Sequence, residues 1–255
     1  ENSRCGVPHY DIVNAYRLAK ESGITSFGIQ CMTGSGVLDP NYYPNLISKI
    51  LKTVKKLKDE LNIHMDYISL GGGYGIPYTD EDSPLNFDNV FNNVAQNFNV
   101  FFESRHEAKP ALWIEPGKSV VGDTGILLTR VTGKKDSYKS YIGVDAGMET
   151  LMRPALYGAY HRIYKVGDPD ALPSTKVDIT GRICENTDRL AKDRLFPEVN
   201  EGDLLAVMDA GAYGFTMSNQ FCTRPKVAEI FLAGEKPTLI RRRETIKDIL
   251  RSCDV

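Results

Sequence analysis

The 255-residue sequence predicts an α/β fold in two parts, a strand–helix alternation with parallel strands followed by an antiparallel β-domain. Three observations predict it. Between residues 9 and 116, apolar stripes at helical spacing alternate with short apolar runs, and strand–helix–strand order builds a parallel sheet. From about Val120 the texture changes to short β-rich runs separated by Gly, Pro and Asp, the spacing of strands joined by turns. Finally, each strand of the first part ends in residues that suit a ligand rim rather than a plain turn.

The elements follow in order. Ile12, Ala15, Tyr16 and Ala19 share one helical face over 9–22, and Gly23 is the stop. Residues 24–31 read as a buried strand. Asp39-Pro40 opens a second helix with an apolar stripe from Leu46 to Leu61 and lysines on the other side. Residues 65–70 are the next strand, 87–104 a third helix carrying Val90, Val94, Phe98 and Phe102, and 111–115 a third strand. Beyond it, strands are expected at 126–131, 138–144, 160–166, 176–180, 203–208 and 226–232, with a closing helix at 244–252. The predicted division is 1–119 and 120–255. A closed (β/α)8 barrel needs its full ring of strands and about 250 residues. Three strands therefore belong either to a small open sheet or to the last part of something larger.

Composition narrows the function classes. Lys and Arg total 31 against 33 Asp and Glu, a net charge of -2, so the phosphate-neutralising charge of a nucleic-acid binder is missing and small or acidic metabolites are the expected ligands. No apolar run approaches the ~18 residues of a membrane span, and the first eight residues do not read as a secretory signal. The five cysteines lack C-x-x-C spacing, which predicts neither a disulfide framework nor a zinc site. A reducing compartment is expected, the cytoplasm or an organelle.

Candidate site residues cluster at the strand ends. The first strand leads into Met32, Thr33, Gly34, Ser35 and Gly36, the second into Gly71, Gly72 and Gly73, the third into Glu115, Gly117 and Lys118. A glycine triplet lets backbone N–H groups surround a phosphate, although an isolated one is more often a flexible turn. Glu115 suits a carboxylate that holds a ring nitrogen or acts as a base, or is a solvated strand-end acid. In the second part, Arg153 offers a planar fork for a carboxylate, with an ion pair to Asp145 or Glu149 as the structural alternative. Cys184 and Glu185, with Asp188 nearby, place a thiol beside acids, suited to proton delivery and amine recognition. The segment from Asp209 to Gly214 reads as a turn presenting the Tyr213 phenol.

In this order the segments resemble the barrel-type pyridoxal-phosphate-dependent amino-acid decarboxylases that act on ornithine, diaminopimelate and arginine, with the diaminopimelate enzymes the nearest. The resemblance runs from Ser3 to Thr245 and is most specific at the Gly71 triplet, Glu115-Pro116-Gly117, the Arg153 to His161 run, Cys184-Glu185 with Asp188, and Gly211-Ala212-Tyr213 with Arg224-Pro225. It implies a fold that is the C-terminal portion of a (β/α)8 TIM barrel followed by a β-domain. It assigns Gly71, Gly72, Gly73, Glu115, Gly117, Lys118, Ser35 and Tyr213 to the cofactor, and Arg153, Tyr157 and Glu185 to the substrate. Cys184 and Glu185 would be catalytic, reaching in from the second subunit of a homodimer; no metal is implied.

The implied reaction turns meso-diaminopimelate into lysine and carbon dioxide, in lysine biosynthesis. The family's cofactor-anchoring lysine precedes the point matched by Ser3, so the resemblance implies that this chain is part of a longer enzyme. Four positions depart from the family pattern: Met32 replaces a ring-stacking histidine, Lys118 an arginine, Arg182 a proline and Cys222 an asparagine. Competing readings are a non-catalytic homologue that binds a partner, an ornithine or arginine decarboxylase, and an unrelated phosphate-binding barrel enzyme.

Overall fold

A computed structural model describes residues 5–253 and divides them into two units, the first holding the described residues up to 77 with 82–119, the second 78–81 with those from 120 onward. Ser3 and Arg4, where the resemblance begins, lie outside the described residues.

In the first unit, α1 (Ile12–Glu21) precedes β1 (Gly28–Gln30), α2 (Tyr42–Leu61), β2 (Tyr67–Ser69), α3 (Phe87–Glu103) and β3 (Ala111–Trp113), and the short α4 (Lys118–Val121) spans the division between the units. The strands form a parallel sheet in the order β1-β2-β3, with Ile29 opposite Ile68 and Ile68 opposite Leu112. Because side chains alternate across a strand, those three residues point to one face. There they join a core with Ile47, Leu57, Val90 and Phe98 from α2 and α3. Gly28, Gln30, Tyr67, Ser69 and Trp113 share the opposite face, on which Tyr67 stacks flat on Trp113, ring centroids 4.4 Å apart. The helix ends follow local chemistry. The Asn86 side chain accepts from the Asn89 amide at 2.9 Å to start α3, and Asn62 ends α2 in the left-handed region.

The strands are shorter than the apolar runs in the sequence, although backbone hydrogen bonds continue past them, Asp66 N–H donating to the Phe27 carbonyl at 2.7 Å and Glu115 N–H to the Gly71 carbonyl at 2.9 Å. The four-residue helix at Lys118–Val121 is an element for which the sequence offered no periodic pattern.

The second unit contains β4 (Leu127–Asp136), β5 (Ser140–Val144), α5 (Arg153–Tyr157), β6 (Ile163–Lys165), β7 (Thr175–Thr180), β8 (Arg189–Phe196) and β9 (Leu204–Val207). After these come β10 (Glu229–Ala233), β11 (Lys236–Arg241) and α6 (Ile246–Ile249), which a 3-10 turn extends to Ser252. Six strands form one sheet in the order β6-β9-β4-β5-β7-β8, and β10 pairs with β11 as a separate hairpin. The expectation of an antiparallel β-domain needs correction, because β5 and β7 run parallel and the sheet is mixed. The chain between them makes α5 and β6 before returning, a connection long enough for a parallel crossover. Leu151, Ile179, Leu190, Leu205 and Val207 centre the core.

Two strands were not legible. In β8 the run Arg-Leu-Ala-Lys-Asp-Arg-Leu-Phe hides its alternation behind charge, and β11 is exposed along its whole length. The second unit also buries much charge. Asp178, fully buried, pairs with Lys139 at 2.8 Å and Arg189 at 3.1 Å.

Candidate functional site

The ends of β1, β2 and β3 bring most of the expected cofactor residues of the first unit together. Gly71 and Gly73 have φ of +66° and +91°, and a Cβ at either would fall on the carbonyl oxygen of Cys31 or Gly34. At Gly72 it would meet the Glu115 carbonyl. Close backbone approach between adjacent strand-end loops therefore dictates the triplet. Beneath it, the buried rings of Tyr43 and Tyr74 stack at 4.0 Å, and the Tyr43 hydroxyl donates to the Gly72 carbonyl at 3.1 Å. Burial pushes both phenols well above their usual range, so both stay neutral, and the buried Tyr74 hydroxyl has no hydrogen-bond partner among the described residues.

The Glu115 carboxylate is fixed by two neighbours that sequence reasoning missed. Oε1 accepts from the Ser69 hydroxyl at 2.6 Å, and Oε2 accepts from Gln30 Nε2 at 3.3 Å. Both partners stand on the sheet face shared with Trp113, at the residue pairing across β1 and β2, so only strand register brings them to Glu115. The Lys118 ammonium lies beside Gly36 on the loop after β1, and Met32 lies over Gly72. Ser35 is exposed on that same loop, and Gly117 is half-buried just before α4.

The cluster fits an anionic aromatic cofactor. The Gly72 and Gly73 amides make no hydrogen bond to the described residues. An ammonium stands on the adjoining loop, and Glu115 uses only part of its acceptor capacity, since an ionised carboxylate offers about four lone-pair sites.

In the second unit, Arg153 is buried and starts α5, where Pro154 supplies the fixed φ of a first helical turn. The structural alternative, an ion pair to Asp145 or Glu149, is absent among the described residues. Asp145 instead accepts from the Thr129 hydroxyl and the Arg130 amide, and Glu149 pairs with Arg182 at 2.9 Å. Arg153 Nη1 instead hydrogen-bonds His161 Nε2 at 2.8 Å, while its guanidinium lies 4.8 Å from the centre of the Tyr78 ring. No carboxylate pairs with it among the described residues. His161 is fully buried, and its Nδ1 contacts the Met208 carbonyl at 2.8 Å. Burial, reinforced by Arg153, lowers its pKa to about 4, so the ring is neutral with Nδ1–H donating and Nε2 accepting. Tyr157, at the other end of α5, is exposed.

The 181–188 loop is built around Asp188. One oxygen of its buried carboxylate accepts from the Met148 amide at 2.6 Å, the other from the Ile183 amide at 3.0 Å. A Cβ at Gly147 or Gly181 would collide with that carboxylate, which accounts for both glycines. Burial raises the Asp188 pKa against those two donors. Its role is to fold the loop, so the expected setting of a thiol beside two acids is corrected: Asp188 turns inward. Glu185 Oε1 accepts from the Thr187 amide and hydroxyl, both at 3.0 Å, which holds its pKa below the usual carboxylate range.

Cys184 is exposed, and its neighbour is another thiol, Cys222. Tyr213, half exposed, sits on a turn with φ of +61°. A shallow hollow of about 430 Å³ lined by Thr132, Lys134, Lys135, Tyr141 and Thr180 contains none of the expected site residues.

Comparison with known proteins joins these features. The family model described as "Pyridoxal-dependent decarboxylase, C-terminal sheet domain" matches residues 10–211. The chain is 40% identical to the diaminopimelate decarboxylase of Methanothermobacter thermautotrophicus over 255 residues, covering 100% of this chain and 60% of that protein. It is 39% identical to the Archaeoglobus fulgidus enzyme of the same name, covering 97% and 59%. The crystal structure of a diaminopimelate decarboxylase from M. jannaschii is similar with TM-score 0.88 at 30% identity, covering 100% of this chain and 58% of that one. The Helicobacter pylori enzyme complexed with L-lysine gives TM-score 0.83 at 30% identity, covering 98% and 60%. The chain thus spans about 60% of the length of these relatives. No helix among the described residues is long and apolar enough to cross a membrane. With the family model spanning most of its length, this chain belongs to the pyridoxal-dependent decarboxylases.

Proposed function

We propose that this chain carries the C-terminal portion of a pyridoxal-phosphate-dependent diaminopimelate decarboxylase, which releases carbon dioxide from meso-diaminopimelate to leave lysine. In this reading the first unit is the last part of a (β/α)8 barrel, the second the β-domain of a cytoplasmic homodimer. The observation that carries it is the Glu115 carboxylate, oriented by Ser69 and Gln30 at a strand end that adjoins the free amides of Gly72 and Gly73.

Each residue then has a physical task. The Gly72 and Gly73 amides, with Gly71 and Gly73 shaping the turn, would donate to the cofactor phosphate, and Lys118 and Ser35 would add charge and a hydroxyl from the adjoining loops. The resemblance adds Gly117 and Tyr213 to the cofactor ligands. Glu115 would accept from the ring nitrogen and keep it protonated. Bound pyridoxal phosphate supplies an electron sink for the pair left by departing carbon dioxide. Arg153, buried with no carboxylate of its own, and Tyr157 would hold the distal carboxylate of the substrate. Glu185 would read the distal amine as an anion, and Cys184 Sγ would deliver the proton to the α-carbon.

The test is an assay of the full-length protein with meso-diaminopimelate, ornithine and arginine. Consumption of diaminopimelate alone is expected, with Arg153→Met raising KM for it by a hundredfold or so, as for loss of a charged hydrogen-bonded contact. Turnover of ornithine or arginine alone would overturn the substrate assignment. Met32, exposed where the family has a histidine, favours a second reading as a non-catalytic homologue, which absence of turnover with all three substrates would select.

A further inference from the structure

Two thiols meet where the 181–188 loop approaches the 215–224 loop. Arg224 Nη2 donates to the Arg182 carbonyl at 3.4 Å, tying the loops two residues from each cysteine. The Cys222 thiol lies beside Cys184, close enough for the two groups to influence each other electrostatically. Asn219 N–H donates to the Glu149 carbonyl at 2.9 Å, and Glu149 in turn holds Arg182, so both loops are anchored to one buried residue. Cys222 and Thr223 have φ of +54° and +58°, left-handed backbone that non-glycine residues rarely adopt, which fixes a bend where the second thiol projects. Both cysteines are reduced and exposed.

We propose that Cys184 and Cys222 form an oxidant-sensitive dithiol site, converted by a hydroperoxide into an intramolecular disulfide that withdraws the Cys184 thiol from proton delivery. The inactivating consequence rests on the role given to Cys184 above; the disulfide itself does not. In the first step the Cys184 thiolate attacks the peroxide, the O–O bond breaks, and Cys184 becomes a sulfenic acid while the leaving oxygen departs as water. Cys222 sulfur then attacks the Cys184 sulfur, the S–O bond breaks, and the hydroxide takes the Cys222 proton to leave as a second water. Two thiols lose two electrons and two protons to one peroxide. A reduced dithiol reverses the change by exchange. Local desolvation and the adjacent Cys184 push the Cys222 pKa up, which suits a resolving thiol that reacts after Cys184 has been oxidised.

The experiment treats the full-length protein with a small excess of hydrogen peroxide, blocks remaining thiols, and maps tryptic peptides without reduction. The expected result is peptide 183–189 joined to the peptide carrying Cys222, lost after dithiothreitol and absent in Cys222→Asn. Oxidation of Cys184 to sulfinic or sulfonic acid without that cross-link would overturn the proposal. Activity is read in parallel. A more than tenfold dithiothreitol-reversible loss in the native protein, but not in Cys222→Asn, supports the switch. A cross-link that leaves activity unchanged overturns it and faults the role given to Cys184, whereas absence of the cross-link faults only the dithiol site.

Discussion

The strand-end cluster of the first unit and the loop cluster of the second hold their side chains by different physics. At Gly71, Gly72 and Gly73 only hydrogen separates one loop from the carbonyls of the next, and Glu115 is steadied by two neutral donors at the surface. In the second unit the loops are pinned by buried charged and polar groups, Asp188 on two amides, Glu149 on Arg182, and Arg153 on a neutral histidine. A site held by close backbone packing tolerates no added atom. A site held by buried polar groups tolerates no lost partner and responds to pH.

The largest expected effect tests the first half of that contrast. Gly71→Ala or Gly73→Ala combines positive φ with a clash against backbone and should cost about 3 kcal/mol or more. Trp113, the single tryptophan, lies on β3, so its fluorescence during urea unfolding is the natural probe. A loss below ~1 kcal/mol would mean that the loops have slack.

Asp188→Ala should cost about 2–3 kcal/mol by leaving the Met148 and Ile183 amides without their acceptor, and Asp188→Asn, which keeps one oxygen, should cost less. Equal losses for the two variants would assign the effect to volume rather than to hydrogen bonding.

His161 gives the pH signature. Its folded pKa of about 4 lies below the ordinary 6.5, so the unfolded chain binds a proton that the folded one refuses, and stability falls as pH drops from 6.5 towards 4. Between pH 6.5 and 5, above the carboxylate range, about 2 kcal/mol should be lost, and His161→Gln should flatten that slope. An unchanged slope in the variant would exclude His161 as its source.

At the other extreme, Lys55→Ala removes an exposed pair with Asp59 on α2 and should change stability by about 0.5 kcal/mol or less, a control that touches neither holding device.

Much of the first unit was legible because helical stripes such as Leu46 to Leu61 and a Gly stop are local signals. The glycine triplet and Glu115 could be singled out because their residue types are unusual at strand ends. The donors to Glu115 were not legible, since Gln30 and Ser69 become its neighbours only through parallel register. In the second unit, the charged strand β8 and the exposed β11 gave no alternation to read. Arg153 was picked out as a ligand residue, but its partner was sought among nearby acids, whereas the fold supplies a histidine eight positions on and takes Glu149 for Arg182.

By itself, then, the sequence determined the order of helices and strands over the first 116 residues and the residue types at each strand end, because those depend on periodicity and backbone freedom within a few positions. Only the tertiary structure decided that β5 and β7 run parallel, that Asp188 points inward, and that Cys184 faces Cys222. Each of these is a pairing between segments distant in the chain, and its energy comes from burial and hydrogen bonds that do not exist until the segments meet.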